Sequence, residues 1–459
     1  MFWVILLSAR TVYAQVASAR VRLLCAHPTR TCMTRLSFSY TAATLLMAIA
    51  ATAAIAQPAR QTQTDDYTRY ELQEPGSAAF RIFYDVSATT AGARYYYNTI
   101  RAGAEEEVHG VTDLHTGLPL EWELVDGTHA QANGHPRASA DSRYIKVSLA
   151  RAVPEGGQGR VRIEKTYWDH ESYYGDGESV IVFDRSLGIR RNAVVMPLGY
   201  EVTAANYPVQ IATEADGRVR ASFMNPGPGS VPLLIRARAI PDWVPPNPLP
   251  APSSEAGRAA TSGGGSPDQA RLGYLVRERA FEDRDITYYL QQPETHSFRL
   301  FHDYTESREG MDRYLNVVRA GSSASDPEAH NLDTGERLEV EQLTGAEIAA
   351  KGIEIGEEAA PETEVVVIWF DPVQNGASVR LRIWETYTDA GRYVLNGEEF
   401  VWDRNFGRAR NTIVLPAGWY LTANSIPGVI DQTDDGRIRI QYINPRPDGI
   451  QVFAKGRRR

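Results

Sequence analysis

Polar and apolar side chains alternate along much of this chain. "AFRIFYDV" from Ala79 and "SFRLFHDY" from Ser297 place an apolar residue at every second position, as do "RVRASFM" from Arg218 and "RIRIQYI" from Arg437. A period of two, carried by Val, Ile, Tyr and Phe, predicts half-buried strands. Asp216-Gly217 and Asp435-Gly436 sit between alternating runs, where glycine supplies the positive φ of a tight hairpin. Gly117 and Gly335, each after a threonine, predict a further turn. Helical periodicity is scarce. One short candidate is "TGAEIAAKG", in which Thr344 can cap and Glu347 can reach back. The pattern predicts an all-β fold of antiparallel β-sandwich type.

The pattern occurs twice. With Tyr70 laid against Tyr288, "LQEPGSAAFRIFYD" from Leu72 answers "LQQPETHSFRLFHD" from Leu290, "YYNTIRAG" from Tyr96 answers "YLNVVRAG", and "DLHTGLPLE" from Asp113 answers "NLDTGERLE". "FDRSLGIRRNAVVMPLGY" from Phe183 answers "WDRNFGRARNTIVLPAGW" from Trp402. The order is kept and the offset is nearly constant, so one module is duplicated. The spacing is far longer than a solenoid repeat, so each copy is expected to be a complete domain with its own core. The reading is two homologous antiparallel β-sandwich domains in tandem, at 66–239 and 279–457.

Residues 240–278 between them begin with six prolines from Pro241 to Pro252 and continue into Gly263–Gly265. This predicts a linker that is stiff and then loose, so that the two domains need not pack tightly. At the other end, Met33-Thr34-Arg35, an apolar run and Ala54-Ile55-Ala56 have the order of a secretory signal peptide. Residues 1–56 are read as an upstream extension plus that signal, with Met33 the start. The expected location is exported, periplasmic or extracellular, with no membrane span after cleavage.

Charge narrows the partners. Without residues 1–56, which hold five Arg and no acid, 43 basic residues face 57 acidic ones. An acidic surface disfavours nucleic acid. Cys25 and Cys32 lie in the segment expected to be removed, so the rest has neither disulfide nor thiolate chemistry. Chemistry has few candidates. The histidines of one copy do not align with histidines in the other, His115 for example falling opposite Asp333, and no H-E-x-x-H occurs, so neither metal nor cofactor is expected. There is no G-x-S-x-G elbow, and "GGQG" at Gly156 lacks the lysine of a phosphate loop.

The candidate binding residues come from the repeated phrase. "VIVFDR" and "NAVVMP" are read as two strands of a hairpin bent at Gly188. Asp184 would meet Arg190, Arg191 or Asn192 across it, and Asn192 would bond backbone groups at the bend. Asp403, Arg404, Arg410 and Asn411 repeat the arrangement, with Arg185 the match of Arg404. These residues make either a polar binding cleft or an ion pair and turn cap that fix the fold. Recurrence in both copies favours the second. Trp168, Tyr173 and Tyr393, in the aromatic stretches "TYWDHESYYGDG" and "TYTDAGRYVLNG", either stack on a sugar ring or partner, or cover the end of the sandwich.

The phrases "VVMPLGYEVTAANYP" and "IVLPAGWYLTANSIP" resemble the β-rich N-terminal domain of M1-type aminopeptidases. The resemblance implies a saddle-like β-sandwich. The zinc-binding H-E-x-x-H domain of that family is absent from this sequence, so neither peptidase activity nor any catalytic residue carries over.

The function expected is that of a non-catalytic exported protein binding a protein or polysaccharide, with avidity if both copies engage. The alternative is a hydrolase of an envelope polymer using paired carboxylates. Matched surfaces on both copies would favour binding, and a pocket in only one copy an enzyme.

Overall fold

The computed structural model describes residues 60–244, 278–355, 360–446 and 448–459. The expected signal segment and most of the linker lie outside the described residues. The first copy supplies β1 (Gln63–Leu72), β2 (Ala79–Ala88), β3 (Tyr95–Thr99), β4 (Glu105–Asp113), β5 (Trp122–Asp126), β6 (Arg143–Ser148), β7 (Gly159–Trp168), β8 (Tyr173–Gly175), β9 (Val180–Leu187), β10 (Arg191–Val195), β11 (Tyr200–Ala205), β12 (Gln210–Thr213), β13 (Val219–Met224) and β14 (Val231–Ala239). The second supplies β15 (Asp285–Leu290), β16 (Ser297–Glu306), β17 (Arg313–Val317), β18 (Ser323–Asn331), β19 (Glu339–Thr344), β20 (Glu364–Trp369), β21 (Val379–Thr388), β22 (Tyr393–Asn396), β23 (Glu399–Phe406), β24 (Arg410–Val414), β25 (Trp419–Asn424), β26 (Val429–Gln432), β27 (Ile438–Ile443) and β28 (Ile450–Arg458).

Each copy folds these strands into three sheets with the same spatial order. A seven-stranded sheet runs β12-β13-β10-β1-β2-β7-β4, matched by β26-β27-β24-β15-β16-β21-β18. A four-stranded sheet runs β11-β14-β9-β8, matched by β25-β28-β23-β22. A three-stranded sheet runs β3-β6-β5, matched by β17-β20-β19. The sheets face one another across a continuous core. In the first copy Phe80 and Ile82 of the large sheet meet Phe183 and Ile235 of the four-stranded sheet and Ile145 of the small one. In the second, Phe298, Trp402 and Ile368 stand in those layers. Each such buried side chain contributes about 1.5–3 kcal/mol by leaving water.

All pairings are antiparallel except β1 with β10 and β15 with β24, which are parallel. This changes the reading of the repeated phrase. β9 and β10 belong to different sheets, so residues 187–191 cross from one layer to the other and make no hairpin. Asp184 and Arg191 therefore have no shared ladder, and the pairing expected between them does not form. The bend is closed by Asn192, whose Nδ2 donates to the Ile189 carbonyl at 2.8 Å, and by Asn411, which donates to the Arg408 carbonyl at 3.0 Å. The Asp-Gly hairpins form as expected, with φ of 89° at Gly217 and 78° at Gly436.

The short helix α1 (Gly127–Ala132) lies between β5 and β6 of the first copy, and α2 (Gly345–Ala350) lies between β19 and β20 of the second. Thr344 and Glu347 form the reciprocal capping box expected at α2. At α1 Asp126 caps alone, accepting from the His129 N–H at 2.7 Å.

The copies are packed together, contrary to the expectation of loose tethering. The contact is reciprocal. The Gln158 N–H donates to the Leu332 carbonyl at 2.7 Å, and Ser378, the counterpart of Gln158, donates from its N–H to the His115 carbonyl at 3.1 Å. A Cβ at Gly117 would lie 2.4 Å from the Gly376 carbonyl oxygen, and one at Gly335 2.7 Å from Pro154. Both turn glycines, with φ of 73° and 76°, thus serve a turn and a close approach at once. At the centre Arg160 reaches Asp333 by two bonds of 2.6 and 2.9 Å, and both residues are buried.

Candidate functional site

A cleft of about 620 Å³ lies in the first copy at the outer edge of its three-stranded sheet. β3 is that edge strand. Tyr97 and Thr99 line the cleft from one face of β3, and Tyr96 and Asn98 from the other, because successive strand residues alternate. The residues just before β1 close the edge. The Gln61 side chain mimics a strand partner, donating to the Tyr97 carbonyl and accepting from the Tyr97 N–H, each at 2.9 Å. Gln63 accepts from the Tyr96 hydroxyl at 2.7 Å and donates to that of Tyr84 at 2.9 Å.

The far wall comes from the loop after α1. His135 stacks on Tyr97 with ring centroids 5.4 Å apart and planes 12° apart, and Tyr144 stands edge-on to both. The Tyr97 hydroxyl donates to the Asn133 carbonyl at 2.6 Å, and the Tyr144 hydroxyl accepts from the Ser139 N–H at 2.8 Å. Burial, with Tyr95 and Glu123 nearby, pushes the Tyr97 phenol up to about 12, so it stays a neutral donor. Burial also lowers the His135 imidazole, favouring its neutral form. His135 Nδ1 has no partner among the described residues. Arg60 and Arg137 add positive charge, and no Asp, Glu, Lys or Cys lines the cleft among the described residues.

Beneath it, Lys165 is buried and donates to Asn98 Oδ1 at 2.5 Å. Burial first, then Arg185, lowers its ammonium to about 7. The second copy carries Glu385 at this position, held by Asn316, the counterpart of Asn98, at 2.8 and 2.9 Å. Burial raises the Glu385 carboxyl to about 7, with Glu364 adding to it.

The matching face of the second copy is lined differently among the described residues. Strand register places Leu315, Val317 and Val365 where the first copy has Tyr97, Thr99 and Tyr144. Ile353 replaces His135, its N–H bonded to Ile348 as that of His135 is to Ala130. These aliphatic residues pack against α2. The segment before the first strand also takes another course. Residues 278–281, the counterparts of 60–63, lie on the first copy, where Tyr67 donates to Glu278 at 3.0 Å and Arg191 to the Ala280 carbonyl at 3.2 Å. What remains on the second small sheet is an open groove at Trp369 and Arg313, where Glu341 accepts from Lys351 at 2.9 Å and from the Trp369 indole at 3.1 Å.

The residues singled out in the sequence lie elsewhere and do not form one site. Arg185 is buried against Asp169 at 2.9 Å, with its guanidinium 5.4 Å from the Phe80 ring centroid. Arg404 repeats this with Asp389 at 3.5 Å and Phe298 at 4.9 Å. Tyr173 and Tyr393 are fully enclosed, their hydroxyls donating to the Gln73 and Gln291 carbonyls. Trp168 ends β7, opposite Ala79 and Glu105. Arg191 faces residues 280–281, Arg410 pairs with Asp285 at 3.2 Å, and Asp403 accepts from Gln451. Asp184 sits on β9 opposite Leu234. Ion pairs and caps thus account for most of the repeated phrase, whereas the cleft takes Tyr97, Thr99, His135 and Tyr144 from positions that differ between the copies. That difference between aligned positions was the signal available in the sequence.

No protein-family model matches this chain, and no curated protein does. Among solved structures it is similar to the M1 zinc metallopeptidase from Deinococcus radiodurans, with 12% identity, a TM-score of 0.26 and coverage of 38% of this chain and 41% of that one. It is also similar to an aminopeptidase N family protein from Idiomarina loihiensis, with 10% identity, a TM-score of 0.24 and coverage of 38% and 29%. A third likeness is to the collagen adhesin of S. aureus, with 10% identity, a TM-score of 0.15 and coverage of 75% and 86%. The chain spans about two fifths of the metallopeptidase's length. Likenesses at this level assign neither activity nor ligand. Among the described residues, no helix is long and apolar enough to cross a membrane.

Proposed function

We propose that this chain is a non-catalytic, exported binding protein whose first copy holds one segment of a polysaccharide in the cleft beside β3. The observation that carries the reading is the lining: a half-buried imidazole stacked on a buried tyrosine, beside amides and hydroxyls, with no carboxylate among the described residues. Sugar rings present a C–H face that packs on aromatic planes and hydroxyls that pair with amides. His135, the partly exposed ring of the lining, supplies the first kind of contact, with the buried Tyr97 and Tyr144 holding it in place, and Gln61, Asn98 and Ser139 the second. A cleft confined to one copy was the mark expected of an enzyme. Hydrolysis by paired carboxylates needs two acids flanking the bond, and none lines this cleft among the described residues. The difference in lining also removes the basis for avidity between the copies.

The test is a glycan array and calorimetry with the full chain and its His135→Ala variant. Retention of a glycan by the parent, with a loss on the order of tenfold in the variant, supports the reading, since one stacked ring is worth about 1 kcal/mol or more. Binding that His135→Ala leaves unchanged, or capture of a protein partner alone, overturns it.

A further inference from the structure

We infer that the saccharide held beside β3 is anionic and sparsely charged. This rests on the proposed reading of the cleft and specifies its ligand class. Arg60 and Arg137 both line the cleft, are exposed, and make no ion pair with any described residue. Elsewhere on this acidic chain guanidinium groups are routinely paired. Arg162 holds Asp85 by two bonds, Arg382 holds Asp303, and Arg439 holds Asp431. Two arginines in a cleft lined by no acidic residue among the described ones mark the place where the charge of an occupant would complete the pairing.

The second copy supplies the comparison. Its groove carries Arg313 and Lys351, but Glu339 and Glu341 stand beside them, so that charge is met from within. The excess of acid over base in the chain sets an upper limit on the ligand. A dense polyanion is repelled by the surface around the cleft, whereas one or two charges on a short stretch of sugar engage two arginines and little else. Neutral contacts complete the fit. His135, half-buried and backed by the buried Tyr97, offers a ring face.

The charge could be a carboxylate, as on a uronic acid, or a sulfate or phosphate ester. Calorimetry of the full chain would use a uronate oligosaccharide, its carboxyl-reduced neutral counterpart and a sulfated neutral-sugar oligosaccharide. The uronate or the sulfated chain is expected to bind on the order of tenfold more tightly than the neutral one, the scale of one hydrogen bond to a charged group. The Arg60→Ala/Arg137→Ala double variant is expected to abolish that preference while retaining the affinity for the neutral chain. Which anionic chain wins identifies the anion. Equal affinity for charged and neutral chains overturns this inference but leaves the saccharide reading standing. No binding of any chain by the folded protein overturns both. A preference that survives in the double variant places the charge recognition elsewhere and also overturns the inference.

Discussion

His115 and Asp333 occupy the same place in the two copies, and they touch each other. His115 Nδ1 lies 3.2 Å from Asp333 Oδ2 and 3.0 Å from the Ser378 carbonyl oxygen. When two like modules meet through the same patch, counterpart residues come together near the symmetry axis, as in a two-fold dimer. Here the pair has diverged to a base and an acid. Asp333 is further held by Arg160 and by the Arg380 N–H at 2.9 Å.

The buried Arg160–Asp333 pair can be probed from the cationic side. Arg160→Met leaves the Asp333 carboxylate enclosed with His115 as its main partner, and breaking a buried pair in this way costs about 3–5 kcal/mol. Urea unfolding of the full chain measures the loss. A change below about 1 kcal/mol would show that the contact does not hold the copies together.

The same site predicts an acid limb. Burial pushes the Asp333 carboxyl up, but Arg160 and His115 override it and hold the group well below the usual carboxylate range. A folded value below the unfolded one contributes stability that is complete above about pH 4 and is lost as pH falls further. Asp333→Asn is expected to flatten the stability profile below about pH 4, read from thermal melts across pH.

Lys165 and Glu385 predict opposite responses from equivalent positions. With the Lys165 ammonium lowered to about 7, the unfolded chain binds the extra proton above that pH. Stability therefore rises from about pH 7 towards the ordinary lysine value. Lys165→Met is expected to stabilise the protein by a few kcal/mol at pH 6–7 and by much less near pH 10. With the Glu385 carboxyl raised to about 7, the folded chain holds the proton, and stability falls between about pH 4.5 and 7. Glu385→Gln is expected to stabilise above about pH 7 and to change little near pH 5. Melts of both variants at three pH values check the signs, and parallel curves for the two would refute the assignment.

Asn192→Ala and Asn411→Ala should each cost about 1 kcal/mol, and by similar amounts, because both amides close the same crossover between sheets. Denaturation midpoints at constant slope give the comparison. A strong effect at one position only would mean that the two bends differ in role.

The fold was largely legible because alternation, Asp-Gly turns and the capping box at Thr344 are local signals. The crossover after Phe183 was not. A run of alternating residues reads the same whether its neighbour lies in the same sheet or in the facing one, and the parallel partner of β10 is β1, far away in sequence. The helix at Gly127 was missed because only Asp126 signals it, without the reaching glutamate of its counterpart. The cleft was hidden for another reason. Tyr97, His135 and Tyr144 come from separate segments, and tyrosines in strands are ordinary core material. Their meaning appears only against Leu315, Ile353 and Val365 in the other copy.

The crossing of residues 278–281 onto the first copy has a consequence for biosynthesis. Those residues cover Tyr67 and bond Arg191, yet the ribosome makes them only after the whole first copy has emerged. The leading half must wait with that flank uncovered until the trailing half supplies its opening residues. The smallest heritable unit of this architecture is therefore the pair, and a gene cut between the halves would strip a wall from the half it meant to isolate.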